Sequence, residues 1–232
     1  MYNTKNLSLS STCELTRSQK KGFTLAEILI TLTVIGVVAA LTIPTLLQNT
    51  NQAELKTALK REYANWTQAY LQLSAENGGI EAVFSGDGSA SADANAMNAF
   101  LTKFSYIKNC GSGMGCWYTT AQKALDGSTL YENFDADFNN NYGKAILADG
   151  SMIIMKDKVG ICNFGTGDGP LNETCALFGI DVNGAKPPNT RGKDYFLFWI
   201  TKTGIYPFGS FNDGNICVGN DSNGCAYKYL YE

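Results

Sequence analysis

The stretch KKGFTLAEILITLTVIGVVAALTIPTLL, Lys20 to Leu47, decides how this chain is built. Two lysines and a glycine stand directly before a phenylalanine, and from Ile28 to Ala53 there is no ionisable side chain. As a helix rising about 1.5 Å per residue, Ile28 to Leu47 covers about 30 Å, the thickness of a bilayer's hydrocarbon core. Before it lie Lys5, Arg17, Lys20 and Lys21 against one acid, Glu14. The positive-inside rule therefore places residues 1–22 in the cytoplasm and everything after the span outside. One charge breaks the apolar pattern. Glu27 sits at its start, where a carboxylate in hydrocarbon costs about 2.5 to 3.5 kcal/mol and so needs a partner or a task.

Downstream of the span the chain stays helix-prone. QAELKTALKREYANWTQAYLQLSAENGG, Gln52 to Gly79, sets Leu55, Leu59, Trp66, Tyr70 and Leu73 on one face, and Asn77-Gly78-Gly79 supplies a stop. One helix is expected from about Phe23 to about Glu76, apolar all round in its first half and amphipathic in its second. A conventional signal peptide cut after Val38-Ala39-Ala40, releasing a secreted disulfide-rich binding module, is the rival reading. It would waste that continuity. Gly36 and Ala40, with Ala39 beside them, form a small-residue face on which another helix can approach closely. Pro44 has no N–H for the Ala40 carbonyl, so a kink or a softened turn is expected there.

Lys20 to Leu47 resembles the N-terminus of type IV prepilins and type II secretion pseudopilins: a basic leader ending in glycine, then Phe-Thr-Leu-Ala-Glu, then an apolar run with a proline after Thr-Ile. The resemblance implies a bacterial inner-membrane, single-pass protein whose C-terminal part lies outside and which serves as a structural filament subunit, not an enzyme. It covers type IV pilus, secretion pseudopilus and DNA-uptake filament subunits alike. It further implies cleavage between Gly22 and Phe23 by a prepilin peptidase and N-methylation of Phe23, which keeps the new amine charged. Glu27 would then pair with the Phe23 amine of a neighbouring subunit, and the helix would melt near Pro44 on assembly. The partners so implied are the peptidase, other pilin or pseudopilin subunits and the inner membrane.

Composition agrees with an extracytoplasmic protein. Of 232 residues 44% are hydrophobic and only 17% charged, enough for one core, and the net charge of −3 gives no bulk field for nucleic acid. Histidine is absent, which removes Ser-His-Asp and Cys-His catalysis and His-ligated zinc. Cys13 lies in the leader, leaving Cys110, Cys116, Cys162, Cys175, Cys217 and Cys225 outside. An even set in an oxidising compartment suggests disulfides, and local pairings, 110 to 116, 162 to 175 and 217 to 225, are favoured.

The organisation expected is a leader (1–22), a helix (23–77, membrane-spanning over about 23–47) and a globular pilin-like domain (78–232). Gly86 to Asn98, small and polar, reads as a surface loop. The first strand signal comes late: AILADGSMIIM, Ala145 to Met155, reads as a hairpin with a two-residue turn at Asp149-Gly150, and Tyr195–Thr201 followed by Ile205–Phe208 as a second. The fold class is α+β, a long N-terminal helix packed on a C-terminal antiparallel sheet. Between the hairpins, Gly179 to Asp194 is rich in oxygen-bearing residues. Asp181, Asn183 and Asp194 are candidates for a calcium ion, as in loops of some pseudopilins, although Gly192 stands where an EF-hand needs its closing glutamate. The alternative is that Asp181 and Asn183 cap tight turns.

Overall fold

The structure, a computed structural model, describes residues 22–231; apart from Gly22, the segment expected to be a leader, with Lys5, Cys13 and Arg17, lies outside the described residues. Helix α1 runs from Leu25 to Asn77 with Pro44 inside it. The chain divides into two compact units, the first ending at Leu47 and the second beginning at Gln48. In the second unit Leu59, Trp66, Tyr70 and Leu73 are buried and Leu55 is partly so, as their spacing predicts. The stop is a Schellman turn: Gly78 takes φ 74°, and the Gly79 N–H donates to the Ser74 carbonyl at 2.9 Å.

After α1 come α2 (Ala90–Leu101), β1 (Tyr106–Gly111), β2 (Gln122–Lys123), β3 (Thr129–Tyr131), α3 (Phe134–Asp137), β4 (Gly143–Leu147), β5 (Met152–Asp157), β6 (Thr174–Asp181), β7 (Tyr195–Thr201), β8 (Ile205–Pro207) and α4 (Cys225–Tyr231). Six strands form one antiparallel sheet in the order β1-β4-β5-β6-β7-β8. On one face, α1 and α2 cover Ile153, Met155, Phe178, Ile180, Phe196 and Phe198. Trp66 is the centre of that layer, with its ring 4.7 Å from Phe178, 4.7 Å from Phe104 and 5.3 Å from Phe100. The opposite face carries a second core in which Trp117, Tyr118 and Phe134 pack over Ile154, Tyr195, Leu197 and Trp199. All three local disulfides are formed: Cys110–Cys116, Cys162–Cys175 and Cys217–Cys225.

Four expectations are corrected. Gly86 to Asn98 is not a loop throughout, because α2 starts at Ala90. Ser89 caps it, accepting from the Ala92 N–H, and Ala96, Met97, Phe100 and Leu101 at helical spacing supply the buried face. Strands do not begin at Ala145, since β1, β2 and β3 precede it. The β4–β5 connection has three residues: the Leu147 N–H bonds to the Ser151 carbonyl around Ala148-Asp149-Gly150, and Gly150 adopts φ 91°. That is the type I turn with a left-handed glycine that three-residue hairpins prefer. Finally, Gly179 to Asp181 belong to β6 and not to the loop before Asp194.

Candidate functional site

The first unit presents an apolar surface. Leu25–Pro44 has a mean hydropathy of 2.3 and none of it is buried. Its threonines do not compromise that surface, because Thr31, Thr33 and Thr42 donate their hydroxyls to carbonyls three or four residues back. Gly36 faces open space, with no atom within 4 Å of where a Cβ would be, and Ala40 is exposed beside it on the same helix. Pro44 is exposed as well. The small residues thus lie on exposed helix surface.

Glu27 has a partner that the sequence reading missed. The Thr24 N–H donates to Glu27 Oε2 at 2.8 Å and the Thr24 hydroxyl to the same oxygen at 3.0 Å, while the Glu27 N–H donates to Thr24 Oγ1 at 3.2 Å. This is a capping box: the first residues of a helix have N–H groups without intrahelical acceptors, and a Thr-x-x-Glu pattern satisfies them reciprocally. The signal was present in Thr24-Leu25-Ala26-Glu27. Among the described residues no donor reaches Glu27 Oε1. Gly22 and Phe23 precede the helix in irregular backbone, and Phe23 is 83% exposed.

In the second unit, Asp181, Asn183 and Asp194 come together at the end of the sheet. Asp181 and Asp194 are fully buried. Asp194 accepts from the N–H groups of Asn189 at 2.8 Å and Thr190 at 2.7 Å, and Asp181 accepts from the Asn183 N–H at 3.3 Å. The Asp181 bond spans two residues, and Asn183 in turn donates its Nδ2 to the Pro187 carbonyl at 3.3 Å, so these two side chains bond within their own turn. Burial and then the Asp194 carboxylate hold Asp181 well above the usual carboxylate range, and burial pushes Asp194 up to about 6. Three buried oxygens keep no hydrogen-bond donor: Asp181 Oδ2, Asn183 Oδ1 and Asn189 Oδ1. Asn189 carried no signal in the sequence beyond its place in a Pro-rich loop. Among the described residues no group of three His, Cys, Asp or Glu side chains converges, so any cation here would rest on two carboxylates and neutral oxygens.

Residues 17–43 match the family described as the prokaryotic N-terminal methylation motif. Neither the curated proteins nor the solved structures contain a match to the chain. The matched segment holds Gly22, Phe23, the Thr24–Glu27 capping box and the small-residue face.

Proposed function

We propose that this chain, which carries the methylation motif that is the hallmark of prepilin-type proteins, is an inner-membrane subunit of a pilus or pseudopilus, cut between Gly22 and Phe23 and polymerised through α1. The observation that carries the reading is the coincidence of the motif with a helix of which Leu25–Pro44 is wholly unburied. Apolar surface of that extent calls for a cover, which a bilayer or a bundle of like helices supplies. Three disulfides in the second unit suit its placement outside the cytoplasm.

In this mechanism the membrane holds the subunit until assembly. Cleavage creates an amine at Phe23, four residues before Glu27, and N-methylation preserves its positive charge. In the filament Glu27 pairs with the amine of a neighbouring copy, and low dielectric strengthens the attraction and fixes axial register. The capping box leaves Oε1 available for that contact.

The test uses two variants. Glu27→Gln keeps an acceptor for the Thr24 cap but removes the charge, while Glu27→Ala removes both. If pairing drives assembly, both variants are processed and both fail to yield sheared filaments. Wild-type filament yield from Glu27→Gln would reduce Glu27 to a helix cap and overturn the pairing.

A second reading concerns the loop. The three donor-free oxygens of Asp181, Asn183 and Asn189, with Asp194 beside them, are of the kind a calcium ion takes. We infer a calcium site formed by Asp181, Asn183 and Asp194, with Asn189 as a further ligand. There the ion would neutralise the two buried carboxylates and stiffen the loop.

A further inference from the structure

A groove in the second unit has a volume of about 730 Å³ and is lined by residues from α1, from the loop before β7, from β7 and from α4. Asn51, Gln52 and Lys56 of α1 and Lys193 of the loop supply its polar lining, and Phe196 and Tyr229 its apolar wall. Both charged residues in that lining are lysines. Among the described residues neither has a carboxylate partner, and the Lys56 ammonium instead stands 5.9 Å from the centre of the Tyr229 ring. Exposed Lys186 and Lys228 flank the lining, and exposed Glu54, on the same helix, does not contribute to it. The groove is thus a cationic, donor-rich cleft with an aromatic wall.

Its place in the chain narrows what could fill it. Asn51 is seven residues past Pro44, the end of the apolar window. Whatever path the backbone takes, seven residues reach at most about 25 Å. The cleft is tethered within headgroup range of any bilayer that Leu25–Pro44 crosses. A phosphodiester matches it chemically: it is anionic, accepts from ammonium and amide N–H groups, and brings a glycerol and acyl stem for the aromatic wall.

We propose that this groove holds the headgroup of an anionic phospholipid, seating the second unit on the membrane before assembly. The proposal rests on the membrane insertion inferred above. It gives Lys56 and Lys193 a role that burial and ion pairing do not.

The test is hydrogen exchange on the full chain in nanodiscs of phosphatidylcholine alone or of phosphatidylcholine mixed with phosphatidylglycerol. The expected result is that phosphatidylglycerol slows exchange in residues 187–196, and that Lys56→Ala/Lys193→Ala weakens this effect about 30-fold, from roughly fivefold per lysine. Lys60→Ala, on the exposed part of α1, should retain it. Equal protection without phosphatidylglycerol, protection that survives in the double variant, or protection given equally by inorganic phosphate in phosphatidylcholine discs would each overturn the proposal. Protection that grows with protein concentration in phosphatidylcholine discs would assign the groove to a second copy and overturn it too. A chain that enters neither disc refutes the membrane reading and this proposal with it, whereas insertion without lipid dependence refutes this proposal alone.

Discussion

Glu62 should make the second unit lose stability as pH rises. Its side chain lies on α1 and is 2% exposed, with Arg61 Nη2 3.0 Å from Oε1; the same guanidinium nitrogen is 2.6 Å from Asp149 Oδ2 in the β4–β5 loop. Burial, and then the Asp149 carboxylate, push Glu62 from 4.5 to about 7. Asp149 is itself partly buried, which raises it, yet the Ser151 hydroxyl at 2.7 Å and N–H at 3.0 Å, with Arg61, hold it below the usual range. The shared proton therefore resides on Glu62. A pKa raised on folding means that the folded state binds the proton more tightly, so its contribution is complete below the unfolded value and is lost as pH climbs through the folded one. The window is pH 4.5 to about 7. At about 1.4 kcal/mol per unit, the loss is about 3 kcal/mol. Asp93 and Asp194, each pushed up to about 6, titrate in the same window, so the difference from a variant is the informative quantity. Glu62→Gln mimics the protonated form. Urea unfolding of the full chain in detergent, followed by tryptophan fluorescence, should find it close to wild type near pH 4.5 and about 3 kcal/mol more stable near pH 8. A stability difference that stays constant across that range would refute the argument.

Further outcomes follow from the same geometry. Gly22→Val should leave the full-length precursor in the membrane. Normal shortening on a gel, or a mature N-terminus at Leu41 in mass spectrometry, would contradict the cleavage site. Trp66→Ala removes the ring stacked on Phe178 and Phe100 and should cost about 3 to 5 kcal/mol. A loss under 1 kcal/mol in the same unfolding assay would show that the helix layer contributes little. Calcium at a hundredfold excess over its Kd should stabilise the chain by about 2.7 kcal/mol, an effect that Asp181→Asn should abolish. An unchanged midpoint with calcium would leave Asp181 and Asp194 as turn caps only.

What could be read in the sequence was what depends on local pattern. The helix face of Leu59, Trp66, Tyr70 and Leu73, the glycine stop and the short-range disulfides all follow from spacing over a few residues. The second core was missed because β7, YFLFWIT, was read as a strand with one face to cover. Its seven residues are all buried, and an apolar run without alternation already signals burial on both faces. β6 was missed for a related reason: Gly179 lies in mid-strand where a Cβ would come within 2.4 Å of the Tyr195 hydroxyl, so the glycine serves close packing and not a turn. Helix α2 was hidden by its small residues. Alanine is the best helix former, but the buried face of the helix, with Met97 and Phe100, packs against strands β4 and β5 that are distant in sequence. Which residues line the groove could not be read from sequence at all, since Lys56, Lys193 and Tyr229 meet only through the tertiary fold.

The capping box changes what the charge at Glu27 means. In the chain as described, Thr24 gives the carboxylate two hydrogen bonds, and the positive end of the α1 dipole favours an anion there. Those donors are neutral, however. They satisfy lone pairs without cancelling the charge, so a cost remains wherever Glu27 is surrounded by hydrocarbon. Only a cation removes that remainder, and the processing proposed above would create one at Phe23 of each subunit. Both bonds from Thr24 fall on Oε2, so a neighbour's amine can approach Oε1 without breaking the cap. On the proposed assembly the two roles would be additive: the cap makes Glu27 tolerable in a single subunit, and the residual charge would favour a second. A glutamine in its place would keep the first role and lose the second, and for that reason filament yield from Glu27→Gln bears on the assembly mechanism more directly than the alanine variant does.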